Sequence, residues 1–89
     1  MIKVLKFYAD WCGPCKLYGK TFDKVQKNIT ELYDTVEFTH INVEEDKEGL
    51  AAEYKVTSIP YTVVLKDGLV KTQIGLLNED KLQSFILDE

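Results

Sequence analysis

The sequence predicts an α/β domain: a four-stranded mixed sheet flanked by three helices, in the order β-α-β-α-β-β-α. Three observations carry this. Short β-rich runs alternate with runs of helical period over the first half of the chain. Two more β-rich runs flank Asp67-Gly68, and a last helical run closes the sequence. Strand, helix and strand in succession require a right-handed crossover and parallel pairing. An Asp-Gly dipeptide between strands requires an antiparallel hairpin. One mixed sheet with helices on both faces satisfies both halves.

The first strand is residues 2–8, β-rich almost from Met1. After the cysteines, Tyr18, Phe22, Val25, Ile29 and Leu32 recur at spacings of four, three, four and three, a single apolar stripe on a long helix. Lys20, Lys24, Lys27 and Glu31 fall elsewhere on its surface. Pro14 suits the first turn, where its missing N–H has no intrahelical partner, so the helix begins at the cysteines. Residues 36–43 form the second strand. A short helix follows over 48–55, with Leu50, Ala51 and Tyr54 on one face. Strands 61–66 and 69–74 make the hairpin. Asn78 is a good N-cap for the last helix, Glu79 and Asp80 suit the positive end of its dipole, and Leu82, Phe85 and Ile86 supply its apolar side.

At 89 residues the chain is read as one domain, 1–89. Its 45% apolar and 29% charged residues are ordinary for a globular protein and speak against disorder. A net charge of −4, with few basic clusters, argues against nucleic acid or an anionic membrane as the main partner. No apolar run approaches the roughly 18 to 20 residues needed to span a bilayer. Lys3 and Lys6 interrupt the apolar opening segment, and no small-residue cleavage site precedes the cysteines, so a signal peptide is not expected. The expected location is cytoplasmic. Thiols are kept reduced there, so a cysteine pair is catalytic or metal-binding rather than a structural staple. A bridge closing so short a loop would also add little stability through chain entropy.

The two cysteines, Cys12 and Cys15, lie in Trp11-Cys12-Gly13-Pro14-Cys15-Lys16. In disulfide exchange the thiolate is the nucleophile, and a helix N-terminus stabilises it through unpaired N–H groups and the positive end of the macrodipole. Cys12 falls just before the helix and Cys15 one turn later, on the same side. Gly13 and Pro14 shape the turn, and Trp11 is expected to cover the sulfur. Cys12 is then the nucleophile that forms a mixed disulfide, and Cys15 resolves it. The competing reading is half of a tetrahedral zinc site. With no further cysteine and one histidine, His40, a cysteine/histidine site cannot be completed within the chain.

The run Tyr8-Ala9-Asp10-Trp11-Cys12-Gly13-Pro14-Cys15-Lys16 resembles the active-site signature of thioredoxins. Downstream, Ile59-Pro60 resembles the cis-proline segment that faces the cysteines in that fold and receives the substrate backbone. Asp67-Gly68 resembles its hairpin turn, and Gly75 a glycine near the end of its last strand. The resemblance implies a thioredoxin-like fold in a compact version, without the usual N-terminal strand and helix. It also implies a protein-disulfide reductase whose substrate-binding residues are Trp11, Gly13, Pro14, Ile59, Pro60 and Gly75. No cofactor is expected beyond the redox-active Cys12–Cys15 disulfide. The implied partners are protein disulfide substrates, a thioredoxin reductase or equivalent, and ribonucleotide reductase as one client. A monomer is expected.

Four positions depart from the family pattern. Lys6 stands where a buried aspartate is usual, and His40 aligns with that aspartate's lysine partner. Lys20, beside Gly19, replaces a helix-kinking proline, and Tyr61 replaces a threonine after the cis-proline. For Lys6 two readings stand: a snorkelling side chain, or a group that tunes the cysteines. His40 reads as a partly buried strand histidine on the side of Val36 and Phe38, or as a proton-relay group near Cys15. Tyr8, Tyr54 and Tyr61 read as packing residues, with Tyr61 able to border a substrate groove. Two other functions compete: a glutathione-dependent glutaredoxin and a non-catalytic interaction module. The first usually carries a Gly-Gly before its last helix, where this chain has Gly75-Leu76-Leu77-Asn78. The second leaves the complete active-site run without a purpose.

Overall fold

A computed structural model describes residues 1–88. The elements are β1 (Ile2–Tyr8), α1 (Gly13–Leu32), β2 (Val36–Asn42), a 3₁₀ turn (Val43–Glu45), α2 (Leu50–Glu53), β3 (Tyr61–Lys66), β4 (Leu69–Ile74) and α3 (Glu79–Leu87). The sheet order is β2-β1-β3-β4. β1 pairs with β2 in parallel and with β3 antiparallel, and β3 with β4 antiparallel. This is the expected architecture.

Period-2 alternation divides the core. Val4 and Val64 face α1 and α3, which contribute Tyr18, Phe22, Val25, Ile29, Leu82 and Ile86. Leu5, Phe7, Ile41, Tyr61 and Val63 face the other way, covered by Val43, Leu50, Ala51, Tyr54 and Ile59. The hairpin turns at Asp67 (φ 50°) and Gly68 (φ 84°), the left-handed pair that a two-residue turn needs. The Asn78 side chain caps α3 by accepting the Lys81 N–H at 2.8 Å.

Four details differ from the sequence reading. The apolar stripe of α1 stops being buried at Ile29, and Leu32, the last residue of the helix, is 71% exposed. Val43 leaves the strand for the 3₁₀ turn, which the Asn42 side chain caps by accepting the Glu44 N–H. The helix expected over 48–55 is only Leu50–Glu53. Gly49 enters it at φ 69°, and the Asp46 carboxylate accepts the Leu50 and Ala51 N–H groups at 2.9 and 2.8 Å. Tyr61 does not border a groove. It is buried against Phe7, and its hydroxyl donates to the Tyr54 carbonyl.

Tyr18 and Thr62 join α1 to β3 through a buried hydrogen bond of 2.7 Å. Burial pushes the Tyr18 phenol up to about 12, the Thr62 bond opposing it. The unfolded chain therefore loses this proton near pH 10, before the native state does, and stability falls as pH rises from about 10 to 12. Tyr18→Phe is expected to fall less steeply than the wild type over that window, as read by urea unfolding at successive pH values.

Candidate active site

The site lies where the parallel strands β1 and β2 end and α1 begins, the carboxyl edge at which open α/β sheets place ligands. Cys12 is the N-cap of α1. Its extended backbone (φ −86°, ψ 107°) turns the sulfur back over the helix, where Sγ accepts the Cys15 N–H at 3.1 Å. A cap normally offers an oxygen to this amide, and here a sulfur takes the place. The first turn carries no acidic residue, so no side-chain carboxylate there offsets the positive end of a 20-residue helix. Pro14 sits in that turn and costs no hydrogen bond.

Cys12 and Cys15 are joined as a disulfide, with Cα atoms 5.2 Å apart. Both are 5% exposed, and what distinguishes them is that Cys12 Sγ, not Cys15 Sγ, caps the helix. Ala9 packs against the two sulfur residues, with Tyr8, Val43 and Ile59 around them. The Ile59–Pro60 peptide is cis. The Ile59 carbonyl oxygen lies 4.0 Å from Cys12 Sγ, so this backbone faces the sulfurs. Gly75 N–H donates to the Pro60 carbonyl at 2.9 Å, which ties the end of β4 to the proline segment.

Of the residues expected at the site, the structure gathers Cys12, Gly13, Pro14, Cys15, Ile59 and Pro60, with Gly75 joined through Pro60. Trp11 is 68% exposed and borders a groove of about 420 Å³ with Val43, Ala51, Val56, Thr57, Ser58 and Ile59. The sequence reading missed Ala9 and Val43. Their position at the carboxyl ends of adjacent parallel strands was the available signal.

His40 is exposed rather than partly buried. Its Nε2 pairs with Gln26 Oε1 at 2.8 Å, and its ring meets Phe22 edge-on. Partial desolvation against that ring, and then the Lys6 charge, hold its pKa below the usual histidine value, with Asp23 opposing. Lys6 lies in the central strand and is 8% exposed, with its Nζ 5.2 Å from the Tyr8 and Phe22 ring centroids.

A capped, apolar-walled cysteine pair facing the Ile59 backbone is suited to reversible exchange between dithiol and disulfide. Comparison with known proteins agrees. The family model described as Thioredoxin matches residues 1–88. The chain belongs to the thioredoxin family.

Thioredoxin from Mycoplasma pneumoniae is 36% identical over 84 residues, spanning 93% of this chain and 78% of the relative. The mitochondrial thioredoxin of Bos taurus is 33% identical, and the chain spans 48% of its length. Among solved structures, oxidised mitochondrial thioredoxin 3 from Saccharomyces cerevisiae superposes with a TM-score of 0.81 at 34% identity, over 99% of this chain and 78% of that one.

Proposed function

We propose that the protein reduces disulfides in other proteins, with Cys12 as nucleophile and Cys15 as resolving residue. The observation that carries this is the cap: Cys12 Sγ is the atom to which the first turn of α1 presents an amide. A thiolate formed there keeps a donor and the helix dipole. It attacks one sulfur of a client disulfide, forming a mixed disulfide and expelling the other client sulfur as a thiolate. Cys15 thiolate then attacks Cys12, closing the intramolecular disulfide and releasing the second client sulfur. Two electrons pass to the client, and a thioredoxin reductase or an equivalent dithiol donor returns them.

An extended client segment fits beside Ile59, where backbone pairing supplies affinity without sequence preference. Trp11, Gly13 and Pro14 flank it on one side, and Pro60 and Gly75 on the other. The groove under Trp11 gives an apolar side chain somewhere to go. No cofactor enters beyond the Cys12–Cys15 disulfide. The working unit is a single chain in a reducing compartment, the cytoplasm, and ribonucleotide reductase is one client by family analogy.

Cys15→Ser is expected to accumulate mixed disulfides with its clients, stable until a reductant is added. Cys12→Ser is expected to form none under the same conditions. Mass spectrometry of the trapped adducts identifies the attacking sulfur and the client. Adducts on Cys15 in the Cys12→Ser protein, formed as fast as those on Cys12, would sink the assignment.

A further inference from the structure

The sheet layer beneath the start of α1 is polar throughout. Lys6 pairs with His40 on β2 and with Thr62 on β3, and Thr62 pairs with Gln73 on β4. On the same face farther from the cysteines, Val4, Val64 and Phe38 form an apolar rung over the three strands β2, β1 and β3, with Lys71 next on β4. α1 meets the polar rung with Tyr18 bonded to Thr62, with Phe22 under Lys6 and His40, and with Gly19. A Cβ on Gly19 would lie 3.8 Å from Lys6 Nζ, so the ammonium rests against the helix one turn beyond Cys15.

Lys6 makes no ion pair among the described residues, yet its nitrogen is not sealed from solvent. Burial lowers its pKa and the Asp23 carboxylate raises it. Reaching neutrality at pH 7 would need a drop of more than about three units from the reference of roughly 10.4. The Lys6 nitrogen keeps access to solvent and lies over two aromatic rings, both of which favour the charged form. Of the groups facing it, His40 on β2 has its pKa held below the usual value, Tyr18 on α1 has its own pushed up to about 12, and the Asp23 carboxylate draws the Lys6 pKa up. The Tyr8 ring touches both this cation, whose Nζ is 5.2 Å from its centroid, and the cluster that holds the two cysteines. It packs against Ala9, Cys12 and Cys15 and shares a cleft with Cys15, Asp10 and Lys16.

We propose that Lys6 is a positioning residue for the resolving step, a fixed positive charge behind Cys15 that stabilises its thiolate. This rests on the reading of Cys12 and Cys15 as nucleophile and resolving residue. In that step the Cys15 thiolate attacks Cys12 Sγ of the mixed disulfide, and the client sulfur leaves as a thiolate. A cation against α1 one turn beyond Cys15, beside the ring that packs on the cysteine cluster, lowers the free energy of the attacking anion and so favours the dithiol state over the disulfide.

The test uses the reduced protein and the aromatic disulfide 5,5′-dithiobis(2-nitrobenzoate). Release of the first coloured thiolate reports attack by Cys12, and release of the second reports resolution by Cys15. In Lys6→Met the pH midpoint of the second phase is expected to rise by about half a unit or more, with the first phase moving less. The second phase at neutral pH slows accordingly, by about threefold or more. Equilibration with a glutathione buffer is expected to show the variant pair more reducing than the wild type. The His40 titration, followed by NMR, is expected to rise once the neighbouring cation is gone. Lys6→Arg, which keeps the charge, is expected to restore the wild-type midpoint.

A second-phase midpoint unchanged while His40 shifts would show a charge that does not reach Cys15, and would overturn the proposal. Unchanged midpoints for both would show an uncharged or snorkelling lysine, with the same consequence. If Lys6→Met fails to fold, Lys6→Gln gives the same readouts. Absence of the first phase in the wild type would refute the reductase reading, a different failure from that of Lys6.

Discussion

Cys12→Ser is expected to lose disulfide-reductase turnover by about a thousandfold or more, to the uncatalysed background, while its fold is retained. The physical reason is local. A serine hydroxyl at the N-cap accepts the Cys15 amide as readily as sulfur does, so the helix keeps its cap. The hydroxyl does not ionise near neutral pH, however, and no thiolate then stands where the client disulfide meets the Ile59 backbone. Cys15 does not take over, since its sulfur is not the one that caps α1. Reduction of insulin by dithiothreitol, followed by turbidity, measures the loss, and circular dichroism confirms the fold. Residual turnover above a tenth of wild type would mean that Cys15 attacks clients unaided.

Phe22→Ala carries the largest expected effect on stability. Phe22 is fully buried, with Tyr18, Phe38 and His40 edge-on around it at centroid distances of 5.6, 5.9 and 5.4 Å. It is also one of the two rings beneath the Lys6 ammonium. Its truncation removes a large buried ring and leaves a cavity that a helix packed on the sheet beside α3 closes poorly. The expected cost is about 3–5 kcal/mol. A domain of this size has roughly 5–15 kcal/mol in total, so the unfolding midpoint is expected to fall by roughly 15–30 °C. Leu32→Ala, on the same nominal stripe, is expected to change stability by less than about 0.5 kcal/mol, because Leu32 is exposed. Urea unfolding of the two variants checks both values. Equal effects would contradict the end of the buried stripe at Ile29.

Where a feature depends on neighbours in sequence, the sequence alone was enough. The bounds of β1, β3 and β4, the start of α1 at the cysteines, the hairpin at Asp67-Gly68 and the cap at Asn78 all follow from period, turn chemistry and capping. These are short-range preferences that leave a readable pattern. The trimming of α2 to Leu50–Glu53 was less legible. Asp46 and Gly49 are ordinary loop residues until the carboxylate is seen holding two amides.

By itself, then, the sequence determined an α/β domain with a cysteine pair at a helix N-terminus, and hence the class of chemistry. Tertiary structure decided what surrounds that pair. Ile59 reaches Cys12 from 47 residues away, and Tyr18 bonds Thr62 across 44. Trp11 stands in solvent over a groove, while Ala9, Tyr8, Val43 and Ile59 wall the sulfurs. His40 is drawn to Gln26, and Lys6 lies beneath α1 beside Gly19. Which strands become neighbours, and which side chains a helix then covers, are properties of the assembled sheet. Burial and charge take their values from that assembly, so the electrostatic surroundings of the cysteines were open until the chain was folded.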